Sequence, residues 1–344
     1  MIDSLRCAII GYGYMGEIRA RVIQQHPDLL LTLICEPNLQ TSLPGEGATF
    51  TKDSSDVVSS DVDVVFICTP NKSIPDLVIQ CLDQQKHVFC EKPPGRTVDD
   101  ILRIREAETR NPRSKLMFGF NHRYHPGIMR AKNIVDSGGM GEILTLRGLY
   151  GKSGGRGFKD SWRNDASVSG GGILLDQGVH MLDLFNFFLG RFISVKAFMS
   201  DRYWGFDVED NAMVILKSES GQLATLHSSA TFWKHMFQLS ITLEQGYINL
   251  DGLLSKSGSY GRETLHIGQR QFETESEAVG NPSEEVIYFD NDSSWTLEVG
   301  QFIEYILSDE PVVENTSRDA LSVMELVHRC YKDDGKVTRR REQS

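Results

Sequence analysis

Short apolar segments alternate with helical segments over the first 122 residues. Continuous apolar runs separated by helices are typical of a parallel sheet covered on both faces. The predicted strands are Leu5–Ile10, Leu29–Cys35, Val62–Cys68, His87–Cys90 and Lys115–Phe120. The predicted helices are Tyr14–Gln25, Ile74–Gln85 and Val98–Arg110. This half of the chain is therefore predicted to form a doubly wound α/β domain.

The periodicity changes after a junction predicted near Asn121–Pro126. Phe237, Leu239, Ile241 and Leu243 alternate with polar residues, which indicates a strand with one buried face. Further strands are predicted at Glu142–Tyr150, Phe192–Ser200, Ala212–Lys217, Gln222–His227 and Glu285–Phe289. Helices are predicted at Gly172–Leu189, Trp295–Leu307 and Arg318–Lys332, and a loop at Thr274–Glu284. We expect two domains, residues 1–122 and 123–344, the second built on a largely antiparallel sheet.

Composition excludes several classes of protein. The chain has 344 residues, enough for one large or two medium domains. Its 36 Lys and Arg against 47 Asp and Glu give a net charge of −11, which disfavours nucleic acid as a partner. No apolar run approaches the roughly 18 residues of a membrane span, and the first residues lack a basic secretion leader. We expect a cytoplasmic protein with a solvated basic tail at Arg339–Arg341.

The cysteines do not indicate a metal or redox site. None of the six forms a CxxC pair, and four lie in or at the ends of apolar runs: Cys7, Cys35, Cys68 and Cys90. They are predicted to be reduced and buried. We therefore predict no metal.

A glycine-rich hexad, Gly11-Tyr12-Gly13-Tyr14-Met15-Gly16, follows the first strand and opens a helix. Such a turn lets the backbone approach a pyrophosphate, which the helix N-terminus attracts. Glu36 ends the second strand 20 residues after Gly16, where a carboxylate accepts hydrogen bonds from a ribose diol and repels a 2′-phosphate. The pattern favours NAD over NADP; a flavin or nucleoside site or a purely structural turn are the alternatives. The predicted cofactor contacts are Gly11, Gly13, Tyr14, Met15, Gly16 and Glu36.

Asp176 and His180 are spaced i, i+4 after a run of three glycines, so one helix would present both on one face. A histidine oriented by a carboxylate suits proton transfer near neutral pH. A helix-capping network with a satisfied histidine explains the spacing equally well.

Lys92 follows the strand His87–Cys90, and ligands bind at the carboxyl ends of parallel strands. There it can polarise a substrate hydroxyl. A surface lysine with a buried stem is the alternative.

Taken together, the motifs resemble the Gfo/Idh/MocA superfamily of oxidoreductases, which includes glucose–fructose oxidoreductase and inositol dehydrogenase. The matching segments are Gly11–Gly16, Cys68–Asn71, Glu91–Pro93, Asn121–Pro126 and Ser169–His180, in the family's order. The resemblance implies a Rossmann domain and an α/β domain whose open sheet often mediates homodimers or homotetramers. It also implies that the cofactor lies against Thr69, Pro70, Asn71, Glu91, Lys92 and Asn121.

The resemblance assigns Lys92, Asp176 and His180 as the catalytic set, which also contacts substrate. His180 would exchange the proton, Asp176 would orient it, and Lys92 would bind the reacting hydroxyl. The Lys92–Pro93 bond is often cis in such families.

Other candidate contacts follow from the resemblance and from position. Trp162 and Arg163 are similar to a pair that lies near cofactor or substrate in several members; a packed aromatic beside a surface arginine is the alternative. Arg123, Tyr124 and His125 fall at the domain junction, where substrate clefts usually lie. His125 could equally be a loop histidine.

These observations predict an NAD-dependent dehydrogenase that oxidises a secondary hydroxyl of a sugar, cyclitol or sugar derivative. Four loop cations could meet a phosphate, carboxylate or nucleotide, or could be solvated: Lys152, Arg156, Arg163 and Lys234. The alternative is an NAD-dependent glycoside hydrolase, which oxidises the sugar transiently and forms no net NADH. A non-enzymatic dinucleotide-binding regulator is disfavoured because Lys92, Asp176 and His180 are all present.

Overall fold

The computed structural model describes residues 4–38 and 47–335, so the basic run Arg339–Arg341 lies outside the described residues. The strands are β1 (Leu5–Ile10), β2 (Leu29–Cys35), β3 (Thr49–Thr51), β4 (Val64–Ile67), β5 (His87–Cys90), β6 (Leu116–Phe118), β7 (Ile143–Gly151), β8 (Phe192–Ser200), β9 (Asn211–Ser218), β10 (Leu223–Ser229), β11 (Met236–Leu243), β12 (Gly246–Asp251), β13 (Glu263–Gln269) and β14 (Glu284–Phe289). The α-helices are α1 (Tyr14–Gln25), α2 (Ser54–Ser59), α3 (Ile74–Asp83), α4 (Val98–Arg110), α5 (Pro126–Asp136), α6 (Ala166–Ser169), α7 (Val179–Leu189), α8 (Ser294–Leu307) and α9 (Ser317–Asp333). Short 3₁₀ helices span Asn121–Tyr124, Arg156–Asp160 and Trp162–Asn164.

The described residues form two compact units. Of the described residues, the first comprises 4–38, 47–121, 167–170 and 295–321, and the second comprises 122–166, 171–294 and 322–335. The predicted division at 122/123 differs from this one because two later segments belong to the first unit. Within that unit, the α8 residue Glu298 pairs with Arg19 of α1, and the Asn315 carbonyl accepts a hydrogen bond from the Phe118 amide of β6. Long-range contacts of this kind leave no local pattern in the sequence.

The first unit contains a parallel sheet in the order β3-β2-β1-β4-β5-β6. Its central strands are fully buried, which explains their continuous apolar runs. The doubly wound prediction is confirmed, and β1, β2, β5, α1 and α4 have the predicted bounds. The short elements β3 and α2 were not predicted.

The second unit contains a sheet in the order β14-β13-β12-β11-β7-β10-β9-β8. Its neighbouring strands are antiparallel, except that β7 and β10 run parallel, so the largely antiparallel prediction is confirmed. Strands β12 and β13 and helix α5 were not predicted. One face of the sheet packs on α7 and the segment before it.

The helix predicted over Gly172–Leu189 is not continuous. A single π-helical turn spans Leu174–Gly178, and α7 begins only at Val179. Asp176 therefore lies in the wide turn and His180 in the first turn of α7, so the α-helical i, i+4 argument for a shared face does not hold. π-Turns inside helices are frequent at functional sites.

The cysteines are free; five are buried, and Cys68 is half-buried. Burial raises the pKa of the Cys7 thiol to about 12 and that of the Cys81 thiol to about 12. These side chains remain protonated and act as small apolar groups. Among the described residues, no helix is both long and apolar enough to cross a bilayer.

Candidate active site

The glycine-rich hexad makes a tight turn between β1 and α1 in the first unit. Gly11 has φ +92°, and a Cβ there would lie 2.7 Å from the Cys68 carbonyl oxygen. A Cβ on Gly16 would lie 2.2 Å from the Gly11 carbonyl oxygen. A Cβ on Gly13, in contrast, would meet no atom within 4 Å. Packing therefore requires the first and third glycines, while the second faces open space.

Helix α1 begins directly at this turn. Gly13 is its N-cap and supplies no side-chain hydrogen bond, so the first backbone N–H groups, including those of Tyr14 and Met15, depend on other partners. Tyr14 is exposed and Met15 half-buried. The Glu36 carboxylate lies beside the turn, where its Oε2 accepts a hydrogen bond of 2.8 Å from the Tyr12 amide. The N-terminus of a helix thus adjoins a carboxylate, an arrangement that suits a dinucleotide.

The residues after β4 complete this edge of the sheet. The Thr69 hydroxyl is buried and has no hydrogen-bond partner among the described residues. Pro70 is half-buried. The Asn71 side chain is buried, and its Nδ2 donates a hydrogen bond of 2.7 Å to the Ser169 carbonyl within the same unit. The open cradle at Gly13 and the unpartnered Thr69 hydroxyl fit a bound dinucleotide, whereas Asn71 anchors a neighbouring segment.

Glu91 belongs to a buried ion cluster. Arg19 Nε donates a hydrogen bond of 2.7 Å to Glu91 Oε1, and Arg19 Nη2 donates one of 2.8 Å to Glu298 Oε2. The guanidinium also lies over the Phe89 ring, 4.3 Å from its centroid. Through this cluster the Glu91 carboxylate links the end of β5 to helices α1 and α8.

Lys92 follows Glu91 and is half-buried, and its bond to Pro93 is cis. The residue stands at the carboxyl end of β5, where ligands bind in open parallel sheets. Asn121 is buried and is the last residue of the first of the three segments that form the first unit.

His180 lies in the second unit and is buried on α7. Its ring stacks on the ring of His122, with centroids 3.6 Å apart and planes inclined by 21°. His122 Nε2 is 3.0 Å from the Tyr150 hydroxyl. Two stacked imidazoles are thus buried together in the second unit.

Asp176 is bound by two cations of the same unit. Its Oδ2 accepts a hydrogen bond of 2.6 Å from Lys152 Nζ, and its Oδ1 accepts one of 3.1 Å from Arg163 Nε. The Arg163 guanidinium also lies 4.5 Å from the Trp162 ring centroid. Arg163 therefore packs on Trp162 and binds the catalytic candidate Asp176. Of the other loop cations, Arg156 has a side chain outside the described atoms, and Lys234 is exposed.

The junction residues are engaged in the interior of the second unit. Arg123 forms a buried, two-point ion pair with Asp183, with bonds of 2.9 and 2.5 Å. His125 Nδ1 lies 2.9 Å from Glu263 Oε2, and both side chains are buried. Tyr124 is buried. These contacts stabilise the unit and give Arg123 and His125 structural partners.

Burial shapes the titration of the neighbouring aromatic residues. It raises the pKa of Tyr150 well above the ordinary value, assisted by the neighbouring Tyr260 and Asp176. It also raises the pKa of Tyr260 to about 12. The pKa of His235 is lowered, first by burial and then by the charge of Lys152. At neutral pH both phenols are protonated.

Three further residues around the candidate site carry no distinctive signal in the sequence. His122 lies inside the motif Asn121–Pro126, but nothing local separates it from its neighbours. Tyr150 ends a predicted strand and was not singled out. Glu209 is buried, and its Oε1 accepts hydrogen bonds from the Gly172 amide at 3.0 Å and the Tyr331 hydroxyl at 2.7 Å. It holds the start of the segment that carries Asp176, a role that the sequence does not signal.

Comparisons with known proteins agree with this architecture. Residues 5–120 match the oxidoreductase family with the NAD-binding Rossmann fold, and residues 128–249 match the GFO/IDH/MocA C-terminal domain. A levoglucosan dehydrogenase solved in complex with NADH superposes with a TM-score of 0.82 at 20% identity, covering 97% of this chain and 98% of that one.

The similar curated proteins differ in their named activities. Myo-inositol 2-dehydrogenase of Thermotoga maritima is 30% identical over 65% of this chain and 68% of its own length. Levoglucosan dehydrogenase of Pseudarthrobacter phenanthrenivorans is 29% identical over 58% of this chain, and the match spans 55% of that relative. 2,7-anhydro-N-acetylneuraminate hydratase of Escherichia coli is 27% identical over 81% of this chain and 77% of the relative. The chain belongs to the Gfo/Idh/MocA family of oxidoreductases, with an NAD-binding Rossmann fold in its first unit.

Proposed function

We propose that this protein is an NAD-dependent dehydrogenase that oxidises a secondary hydroxyl of a sugar, cyclitol or sugar derivative. The observation that carries the proposal is the glycine cradle beside Glu36, in a chain that also has Lys92, Asp176 and His180 at the family's motif positions. The names of two relatives, an inositol dehydrogenase and a levoglucosan dehydrogenase, support this substrate class.

The chain's own residues divide the work of the reaction. Bound NAD supplies a nicotinamide ring that accepts a hydride. In the proposed mechanism, His180 accepts the hydroxyl proton and Lys92 hydrogen-bonds the reacting oxygen. Asp176 orients His180, while Lys152 and Arg163 hold Asp176. Gly11, Gly13, Gly16 and Glu36 bind the cofactor, and Thr69 offers it a hydroxyl.

The experiment is NADH formation, followed by absorbance, with NAD and a panel of inositols, levoglucosan, free sugars, sugar phosphates and UDP-sugars. Phosphorylated and nucleotide-linked substrates belong in the panel because Lys152 and Arg163 are cations, although Asp176 already contacts both. A signal with one class supports the proposal and narrows the substrate. No NADH with any compound, from protein shown to bind NAD, contradicts it.

A second candidate is an NAD-dependent reaction that forms no net NADH, such as glycoside hydrolysis. The relative named as a hydratase shows that named activities in this family extend beyond dehydrogenation. A chromogenic glycoside distinguishes this candidate, because it releases its chromophore only if the aglycone is cleaved. Chromophore release without NADH would favour the hydrolase over the dehydrogenase.

We also propose that a second copy of this chain covers the outer face of the second unit's sheet. Phe198 and Met213 lie opposite each other on β8 and β9 and are 77% and 56% exposed, and Ile215 is 54% exposed. Apolar patches of this kind mark interaction surfaces. Phe198→Glu is expected to convert a dimer or tetramer into smaller species in light scattering, and Leu102→Glu on α4 is the control. A wild-type monomer would contradict the proposal.

A further inference from the structure

His180, the proposed proton acceptor, stacks on a second imidazole, that of His122. Centroids 3.6 Å apart and an angle of 21° bring the two rings into face-to-face contact over their π systems. Both side chains are buried. If both rings carried a proton, two positive charges would lie in contact away from solvent, which strongly disfavours the doubly protonated state.

Tyr150 anchors the outer member of this pair. Its hydroxyl is 3.0 Å from His122 Nε2. Because burial raises the pKa of Tyr150 well above its ordinary value, the phenol stays neutral around neutral pH. The Tyr150 ring also packs edge-on against Phe237, with centroids 5.1 Å apart. The contact with the Tyr150 hydroxyl therefore fixes one edge of the His122 ring, and the face of that ring stacks on His180.

The charged side chains Arg123, Asp183 and Asp176 all form ion pairs with other residues. Arg123 and Asp183 neutralise each other, and Asp176 contacts Lys152 and Arg163. Of the titratable side chains, Tyr150 lies beside both rings, and Tyr260 and the charge of Asp176 act in turn on Tyr150. Arg123, which follows His122 in the chain, is paired with Asp183. His125 lies edge-on to His122 at 5.4 Å and is bonded to Glu263. The group in closest ring contact with His180 is thus another imidazole.

We propose that His122 is a positioning residue: it holds the His180 ring flat against its own, and it shares the first proton taken up by the pair, so that His180 remains available as a base. This inference rests on the proposed role of His180. When the pair holds one proton, a fraction of the molecules carries it on His122 and keeps His180 neutral. Activity therefore extends to lower pH than in an enzyme in which His180 is the only titrating ring of the pair.

Three variants separate the two parts of the role. His122→Phe keeps a flat ring but removes the second titrating group and the bond to Tyr150. We expect the acid-side midpoint of kcat/KM to rise by about half a unit or more and kcat to fall about tenfold, with NAD affinity unchanged. Tyr150→Phe leaves both imidazoles, so kcat should fall while the acid-side midpoint stays. Phe237→Leu perturbs the packing against His122 and Tyr150 without removing a titrating group, so it should leave the midpoint unchanged.

The contrary results are equally definite. A His122→Phe enzyme with the wild-type pH profile and kcat would overturn the proposal, as would a Phe237→Leu enzyme that reproduces its shift. If His122→Phe does not fold, NMR titration of the wild-type histidines decides: coupled two-step titration of both rings supports the proposal, and independent single-step titration overturns it. This titration needs no substrate, so it stays distinct from failure of the proposed function.

Discussion

Lys152 Nζ donates a hydrogen bond of 2.6 Å to Asp176 Oδ2, so the carboxylate proposed to orient His180 is itself held by a lysine at the end of β7. Both side chains are about one-sixth exposed, and the contact is therefore only weakly screened. We expect Lys152→Met to lower kcat by about ten- to a hundredfold, the range for a lost hydrogen bond to a charged group. Steady-state kinetics of Lys152→Met and Lys152→Arg check this, and equal, unchanged kcat in both would refute it.

Gly13 and Gly16 are expected to respond differently to the same added methyl group. Gly16→Ala places a Cβ 2.2 Å from the Gly11 carbonyl, so it should destabilise the fold by about 1–3 kcal/mol. Gly13→Ala meets no protein atom and should change stability by less than about 0.5 kcal/mol, yet weaken NAD binding about tenfold or more, since it fills the cradle. Denaturant unfolding and NAD titration test the pair; tight NAD binding by Gly13→Ala would contradict the cradle.

Glu36 is expected to set the choice between NAD and NADP. Its carboxylate lies at the glycine turn, fixed by the Tyr12 amide at 2.8 Å. Glu36→Ser removes the charge that repels a 2′-phosphate, so the preference for NAD over NADP should fall about tenfold or more. Dissociation constants for both cofactors, measured with Asp28→Ser as a surface control, provide the test. An unchanged ratio would remove Glu36 from cofactor recognition.

The buried cluster around Arg19 is expected to be costly to break. Arg19→Met leaves Glu91 and Glu298 without their shared cation in a site from which water is excluded. The free energy of unfolding should fall by about 3–5 kcal/mol, as for other buried pairs that lose one partner. Arg103→Met, which removes an exposed ion pair with Asp76, is the matched control and should cost less than about 1 kcal/mol. Equal free energies of unfolding for the two variants would show that the buried cluster stabilises the fold no more than an exposed ion pair does.

The sequence predicts the first unit better than the second for a physical reason. Strands such as β1 and β5 are buried on both faces, and their continuous apolar runs are visible without tertiary information. Strands β12 and β13 mix polar and apolar residues on their half-buried faces, and a buried position of β13 is the charged Glu263, so the alternation is incomplete and the signal is weak. The π-helical turn before α7 is likewise invisible, because its width depends on packing and on the Glu209 hydrogen bonds.

The candidate site shows the same limit. The glycine hexad and Glu36 are predictable because neighbouring residues in one βαβ unit make the cradle. The pairing of Arg19 with Glu298 cannot be predicted in this way, because the two residues are 279 positions apart in the sequence. His122, Arg123 and His125 look equally suited to a site in sequence. Only packing assigns His122 to His180 and gives the other two to Asp183 and Glu263.

Turnover of the best substrate by wild-type protein and by His180→Ala, with NAD affinity determined for both, decides whether His180 is the base. We expect His180→Ala to lose about a hundredfold or more in kcat while NAD binds equally well, because His180 is not among the residues proposed to bind the cofactor. Full activity in His180→Ala would contradict the assignment of His180 as the base on which the proposed dehydrogenase depends.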